Sequence, residues 1–217
     1  MFNAPALYAM WGKRVLKSLI YRFPPIMIAP ERLYLWMDTL IQTQRVPGDV
    51  LEIGCYLGGT AAMANKMLRN VSAPKRYLVV DTFEGFVSEQ WTDDHALGTP
   101  ARLKKHFSLN STELARWVLD QHGGEEVEII KGDIVALPDD SLPGQVSACL
   151  LDVDLSEPVR KGLERVYPRL QPGGVIIVDD CEDDDYKARI GYERFVRSAG
   201  LPEEYKFGAG IVRRHAA

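Results

Sequence analysis

Five short runs of apolar residues recur along the chain, and each ends in glycine or acidic residues. The runs cover residues 50–54, 77–81, 127–130, 148–152 and 175–179. Continuous apolar character, as opposed to strict alternation, is typical of strands that are buried on both faces of a parallel sheet. We therefore predict an α/β fold with a doubly wound, mostly parallel sheet and helices on both of its faces.

Periodic apolar positions predict the helices around this sheet. Residues 33–41 place apolar side chains at i, i+4, i+7 and i+8, and residues 59–70 and 159–170 also have helical patterns. Residues 205–207 and 210–213 predict a closing antiparallel hairpin. Residues 84–100 are the longest stretch without a pattern, and we expect an irregular loop that acts as a lid, because such long loops are usually functional.

The first 30 residues differ from the rest of the chain in charge. They contain four basic residues and no acidic one, together with an apolar stretch at residues 24–29. We expect residues 1–30 to form an N-terminal arm, as a lid or a dimer contact, and residues 31–217 to form the main domain. Contact with a membrane surface is the alternative interpretation, since basic and apolar residues together favour it.

The amino-acid composition of the chain argues against several classes of function. The chain has 26 Lys and Arg against 30 Asp and Glu, a formal charge of −4, which argues against nucleic acid as a partner. No apolar run reaches the roughly 18 to 20 residues of a transmembrane helix, so we predict no transmembrane segment. The three cysteines are widely spaced, which argues against disulfides or a zinc site and favours a reducing, cytoplasmic location.

Ligands of open α/β sheets bind beyond the carboxyl ends of the strands, where this chain carries glycine and aspartate. The first strand runs into a turn with Gly54, Gly58 and Gly59, which permits close backbone approach to a ligand. Asp81 follows Gly59 by 22 residues, near the spacing at which a carboxylate binds ribose hydroxyls. Asp133 follows the third strand and is a candidate for adenine binding. Helix capping and close packing are the structural alternatives.

The fourth and fifth strands end in pairs of acids. They are followed by Asp152 and Asp154, and by Asp179 and Asp180. Neighbouring parallel strands bring such carboxylates together, where they repel one another unless a cation or protons intervene. An oxygen-only cluster favours a hard ion, Mg²⁺ before Ca²⁺ or Mn²⁺, over zinc. The alternative is that some of these acids cap helices.

These motifs resemble those of class I S-adenosylmethionine-dependent methyltransferases, and more closely the macrocin O-methyltransferase family of metal-dependent sugar O-methyltransferases. The resemblance lies in residues 46–59, 81–85, 151–154 and 167–180, and extends from about Arg32 to Arg214. It implies a Rossmann-like methyltransferase sheet.

The resemblance also implies the cofactors and the roles of the site residues. S-adenosylmethionine would lie on the glycine loop, with Asp81 at its ribose and Asp133 near its adenine. Asp154 would be the general base, and Asp152, Asp179 and Asp180 would coordinate Mg²⁺. The expected cofactor-binding residues are Glu52, Gly54, Tyr56, Gly58, Gly59, Thr60, Asp81, Thr82, Phe83, Asp133, Ile134 and Asp152.

The family implies an acceptor with vicinal hydroxyls, either a small molecule or an oligosaccharide. We expect a sugar or glycosylated metabolite, such as an antibiotic sugar or a methylmannoside polysaccharide, with polyols and catechols as the second choice. Trp91, Asp94 and His95 in the expected lid are candidates for acceptor contact. We treat His106 as an ordinary polar residue and Phe86 as part of the core. A homodimer is expected on family grounds.

Three other functions are weighed against this one. A phosphotransferase with an Asp-x-Asp strand conflicts with the chain order, because three strands precede Asp152. A metal-dependent glycosyltransferase leaves the glycine loop unexplained. A methyltransferase-like domain that binds without catalysis remains open at this point.

Overall fold

A seven-stranded mixed sheet forms the centre of the computed structural model, which describes Gly12 and residues 15–215. The strands are β1 (Asp49–Ile53), β2 (Tyr77–Asp81), β3 (Glu128–Lys131), β4 (Val146–Leu151), β5 (Leu170–Val178), β6 (Tyr205–Lys206) and β7 (Ala209–Arg213). Their order across the sheet is β3-β2-β1-β4-β5-β7-β6. Strands β1 to β5 are parallel, and β7 is antiparallel to both β5 and β6.

Helices cover both faces of the sheet. They are α1 (Lys17–Ile20), α2 (Pro30–Gln42), α3 (Gly59–Asn70), α4 (Ser88–Ala96), α5 (Thr112–His122), α6 (Ser156–Val166) and α7 (Ala188–Ser198). Helices α2, α3 and α5 share one apolar core with the sheet, and α6 and α7 share the other. Alternate residues of β2 belong to the two cores, with Val79 in the first and Val80 in the second. This two-sided burial explains why the strands are continuously apolar.

The fold class is confirmed, and so are the helix at residues 59–70 and the C-terminal hairpin. The prediction of an irregular loop at residues 84–100 was wrong, because α4 occupies its middle. Only Trp91 and Asp94 of α4 are buried, so a single apolar side chain of this helix packs into the protein. The sequence therefore shows no stripe of apolar residues that would predict a helix here. Among the described residues, no helix is both long and apolar enough to cross a membrane.

A carboxyl group is buried within the first apolar core. Glu52 on β1 accepts a hydrogen bond from the Tyr77 hydroxyl (2.7 Å), which in turn accepts one from Trp36 Nε1 (3.2 Å). All three side chains are almost fully buried. Burial raises the pKa of Glu52 to about 8, so this side chain retains a proton at neutral pH.

Replacing Glu52 with Gln is expected to make the stability of the protein less dependent on pH. The pKa of Glu52 is higher in the folded state than in the unfolded state. Its protonation therefore stabilises the folded state fully at acidic pH, and this stabilisation is lost as the pH rises through about 8. Urea unfolding at about pH 5 and about pH 8.5 measures the free energy of unfolding at each pH. Between these two pH values, the wild type should lose on the order of 3 kcal/mol more of it than Glu52→Gln does. The same pH dependence in both proteins would contradict a protonated Glu52.

Candidate active site

A cavity of about 330 Å³ opens at the carboxyl ends of the central strands. The strand order reverses between β1 and β4, and ligands of doubly wound folds bind at such a reversal. The residues after β1, β2, β4 and β5 all contribute to its wall. Its polar lining includes Tyr56, Asp81, Asp133, Asp152, Asp154, Asp179 and Asp180.

The turn after β1 brings the backbones of two strands unusually close. Gly54 has φ +88°, and a Cβ atom at this position would lie only 1.7 Å from the carbonyl oxygen of Asp152. Any other residue would force β1 and β4 apart. Gly54 is therefore required to keep the turn next to the first acid of the cluster after β4.

Asp81 is fixed in the cavity wall by backbone donors. Its Oδ2 atom accepts a hydrogen bond from the Tyr56 amide (2.8 Å), and its Oδ1 atom accepts one from the Phe83 amide (2.7 Å). Both donor residues have positive φ, 51° and 55°. Burial raises the pKa of Asp81, and the backbone hydrogen bonds act in the opposite direction. The side chain is thus held in one orientation before any ligand binds.

Asp133 is held by a side chain that the sequence analysis did not single out. Gln90 on α4 donates a hydrogen bond from Nε2 to Asp133 Oδ2 (2.7 Å), and the Val135 amide donates to Oδ1 (3.0 Å). Both Gln90 and Asp133 line the cavity. Because α4 lacks an apolar pattern, the sequence offered no signal that Gln90 would reach this acid.

The acids after β4 and β5 form one cluster. Asp152, Asp154 and Asp180 each place a carboxylate oxygen within 4.8 Å of the others. Burial raises the pKa of Asp152 and of Asp154 well above the ordinary range, and the neighbouring carboxylates raise both values further. Asp154 and Asp180 have φ values of 62° and 54°, a strained conformation for residues other than glycine.

Arg32 supplies the positive charge next to this cluster. Its Nη1 atom lies 2.6 Å from Asp180 Oδ1, to which it donates a hydrogen bond, and 2.8 Å from Asp179 Oδ1. The second contact has the distance of an ion pair but not the geometry of a hydrogen bond. Asp179 Oδ1 is buried and has no hydrogen-bond partner among the described residues. Burial and the adjacent Asp180 raise the pKa of Asp179 to about 7 in spite of Arg32.

The donor atoms of the cluster fit a hard divalent cation. All of them are carboxylate oxygens, the ligands that Mg²⁺ and Ca²⁺ prefer, and Asp179 Oδ1 has an unused hydrogen-bonding site. The three acids within reach of one ion are Asp152, Asp154 and Asp180, whereas the sequence analysis expected Asp179 in place of Asp154. Asp179 and Asp180 both form ion pairs with Arg32 in this structure.

The expected cofactor residues divide into two groups. Those that line the cavity are Gly54, Tyr56, Asp81, Thr82, Asp133, Ile134 and Asp152. The rest lie in the structure around it. The Glu52 side chain accepts a hydrogen bond from Tyr77, Gly58 caps α3, Gly59 and Thr60 begin that helix, and Phe83 is packed in the core.

The expected acceptor residues lie behind the cavity wall. Trp91 is buried and stacks against Phe86, which lines the cavity (ring centroids 5.5 Å apart). Asp94 is fully buried and accepts hydrogen bonds from the amide and hydroxyl groups of Ser156, at the start of α6. His95 is exposed, and its Nδ1 atom lies 2.7 Å from the Thr99 carbonyl oxygen.

Two residues that the sequence analysis passed over complete this wall. His106 Nδ1 and the Tyr186 hydroxyl are 2.9 Å apart, and both residues line the cavity. Tyr186 comes from the segment after β5, so this contact joins the residues after α4 to the acid-bearing side of the site. Their separation of 80 residues in sequence explains why no local pattern could indicate the pair.

Comparison with known proteins gives a family match over most of the chain. Residues 22–205 match the family described as macrocin O-methyltransferase. The chain is 29% identical to an 8-demethyl-8-(2,3-dimethoxy-α-L-rhamnosyl)-tetracenomycin-C 4′-O-methyltransferase of Streptomyces olivaceus, over 99% of this chain and 95% of the relative. It is also 29% identical to a mycinamicin III 3″-O-methyltransferase of Micromonospora griseorubida, over 62% of this chain and 56% of the relative.

Solved structures show the same fold. The O-methyltransferase NovP superposes with a TM-score of 0.73 at 21% identity, over 88% of this chain and 82% of its own. A calicheamicin methyltransferase superposes with a TM-score of 0.69 at 20% identity, over 98% of this chain and 94% of its own.

Replacing Arg32 with Gln is expected to destabilise the metal-free protein, and more strongly at alkaline pH. Removing the Arg32 guanidinium group leaves buried carboxylates without a positive charge beside them. When they are ionised, this should lower the free energy of unfolding by about 3 kcal/mol. Because the pKa of Asp179 is raised to about 7, the cost should shrink at acidic pH, where this acid is protonated. Urea unfolding in a chelating buffer at about pH 5.5 and about pH 8.5 measures the difference. An equal loss at both pH values would argue against this charge pairing.

Proposed function

The chain is an O-methyltransferase of the macrocin O-methyltransferase family, and we propose that it methylates a hydroxyl group of a sugar or glycosylated metabolite. We further propose that the methyl donor is S-adenosylmethionine and that the reaction depends on Mg²⁺. One observation carries this proposal: a cluster of carboxylates shares a single cavity with the glycine turn and Asp81.

We propose that the side of the cavity formed after β1, β2 and β3 binds the cofactor. Asp81 would accept hydrogen bonds from the ribose hydroxyls, and its fixed orientation favours this role. Asp133 and Ile134 would contact the adenine, with Gln90 holding the carboxylate of Asp133 in place. The close backbone turn at Gly54 and Tyr56 would hold the methionine part. When bound, the cofactor supplies a methyl group that is already activated on a positively charged sulfur.

On the acidic side, we propose Asp152, Asp179 and Asp180 as the residues that hold Mg²⁺. The ion would lower the pKa of an acceptor hydroxyl that lies on it. Arg32 contacts both Asp179 and Asp180, so an ion that uses either carboxylate would compete with Arg32 for it. Asp152 and Asp180 are also two of the three acids that could hold one ion together.

Asp154 is our proposed general base. It is buried in the cavity wall directly after β4, and its backbone carbonyl oxygen accepts a hydrogen bond from the Lys187 amide (3.1 Å). This bond ties the residue to the segment that precedes α7. Burial and Asp180 raise the pKa of the Asp154 carboxyl. A cation bound beside it would lower that pKa and leave the carboxylate ionised, ready to accept the proton of an acceptor hydroxyl.

The acceptor would lie against the aromatic wall, which we define as the cavity-lining residues Phe86, His106 and Tyr186. Phe86 offers an apolar surface that suits the C–H face of a sugar ring, and Trp91 supports Phe86 from behind. His106 and Tyr186 offer polar groups at the edge of this wall. Asp94 and His95 would act by holding α4 in place, because Asp94 binds the start of α6. The aromatic wall is therefore the part of the site that selects the acceptor.

The relatives support a glycoside as the acceptor. One is named for methylation at the 4′ position of a tetracenomycin that carries a rhamnosyl group, and another for the 3″ position of mycinamicin III. No relative or structure reported above is a phosphotransferase or a glycosyltransferase. A catechol or polyol would also offer two adjacent hydroxyl groups, so a screen of acceptors should include both beside sugars.

Two matched variants test the proposed division of the site. Asp154→Asn should reduce methyl transfer by about 10² to 10⁴-fold and leave the affinity for S-adenosylhomocysteine unchanged. Asp81→Ala should instead weaken S-adenosylhomocysteine binding by at least about tenfold, because one charged acceptor of hydrogen bonds is lost. Calorimetric titration and an assay of methyl transfer to a panel of sugars measure the two effects.

Asp184 is exposed, so Asp184→Asn serves as the control for these variants. Full transfer activity in Asp154→Asn would refute the base assignment. Absence of S-adenosylhomocysteine binding in the wild type would overturn the proposed methyl donor.

A second test concerns the metal. If Mg²⁺ competes with Arg32 for Asp179 and Asp180, then Arg32→Gln should bind Mg²⁺ at least about tenfold more tightly than the wild type, because a nearby positive charge has been removed. Isothermal titration at about pH 8 in the absence of acceptor measures this affinity. An unchanged affinity would mean that Mg²⁺ does not compete with Arg32 for these carboxylates.

A further inference from the structure

An exposed apolar surface lies on the segment before α2. We call residues 15–29 the N-terminal strap. Leu19 and Ile20 lie on α1, Leu16 and Phe23 flank it, and all four are exposed, Leu19 by 73% and Phe23 by 76%. Large exposed apolar side chains in one segment mark a surface that contacts another body.

The strap is anchored to the domain by other residues. Tyr21 is buried against Leu57 and Val118, and its carbonyl oxygen lies 3.0 Å from His122 Nε2. Pro25 crosses Gly59 so closely that a Cβ atom there would lie 2.3 Å from the Pro25 carbonyl oxygen. The anchoring residues thus hold the strap on the domain and leave its large apolar side chains exposed.

The charge of the sequence within and just before the strap identifies the kind of partner. Lys13, Arg14, Lys17 and Arg22 are basic, and residues 1–30 contain no acid. The rest of the chain has 22 basic and 30 acidic residues, a formal charge of −8. An anionic surface therefore attracts the N-terminal end and repels the remainder, which orients the protein with the strap towards that surface.

A second copy of this chain fits the strap less well. A symmetric dimer through this face would place the same basic residues against one another, because both subunits use the same patch in a two-fold interface. Exposed large apolar side chains in a segment that carries only basic charges instead favour contact with the interface of an anionic bilayer.

We propose that the N-terminal strap docks the enzyme on an anionic membrane surface, with Leu16, Leu19, Ile20 and Phe23 inserted among the lipids. Met27 continues the exposed apolar surface and also lines the cavity. The docked enzyme therefore holds the mouth of its active site at the membrane surface. This proposal does not depend on the identity of the acceptor or of the metal.

Flotation of the full chain with lipid vesicles tests the proposal. The wild type should bind vesicles of equimolar phosphatidylcholine and phosphatidylglycerol, bind pure phosphatidylcholine far less, and dissociate at high salt, where charges are screened. The double variant Leu19→Ser/Phe23→Ser should bind at least about tenfold more weakly. Arg22→Glu should weaken binding about tenfold through charge alone.

Val71→Ser is the matched control, because Val71 is an exposed apolar residue after α3 and outside the strap. This variant should bind like the wild type, and thermal unfolding should show that all variants are folded. Absence of binding to the anionic vesicles, or equal binding by Leu19→Ser/Phe23→Ser and the wild type, would overturn the proposal. A dimer in light scattering that the double variant abolishes would also overturn it, in favour of a second copy as the partner.

Discussion

Repulsion among the carboxylates at the ends of β4 and β5 is the constraint on which the site depends. Asp152, Asp154 and Asp180 lie within reach of one ion, and burial together with mutual repulsion raises the pKa of the first two. Such a cluster is tolerable only with protons or positive charge beside it. Arg32 supplies part of that charge from α2, a helix that precedes the whole sheet in sequence. The proposed metal would supply the rest.

The surrounding fold keeps these groups together at a cost in backbone strain. The parallel strands end at one edge of the sheet, Gly54 permits a backbone contact that no other residue allows, and Asp154 and Asp180 adopt positive φ. Residues in this conformation persist only where the structure around them holds them there. Here the two apolar cores, one on each face of the sheet, provide that rigidity.

The walls of the cavity come from different parts of the fold. The acids and the glycine turn belong to strand ends, which the sheet fixes. The aromatic wall comes from α4 and the residues around it, and it is joined to the acidic side by the contact of His106 with Tyr186 and the ion pair of Arg102 with Asp185. The proposed acceptor-binding residues thus belong to a part of the fold other than the strand ends that carry the acids.

The sequence by itself determined the sheet and the location of the site. Strands buried on both faces must be continuously apolar, and the residues that follow parallel strands must meet at one edge, so Asp81, Asp152 and Asp180 could be placed in one crevice from the order of motifs alone. It also indicated the basic and apolar character of residues 1–30. These inferences rest on local patterns, and local patterns are what a sequence displays.

Tertiary structure alone decided the contacts between distant segments. Arg32 meets Asp180 across 148 residues, Gln90 meets Asp133 across 43, and His106 meets Tyr186 across 80. Helix α4 escaped prediction because its stability comes from Trp91 and the buried Asp94, whose partner Ser156 lies 62 residues away. Polar contacts of this kind have no period along the chain, so only the folded arrangement of the helices around the sheet can bring them together.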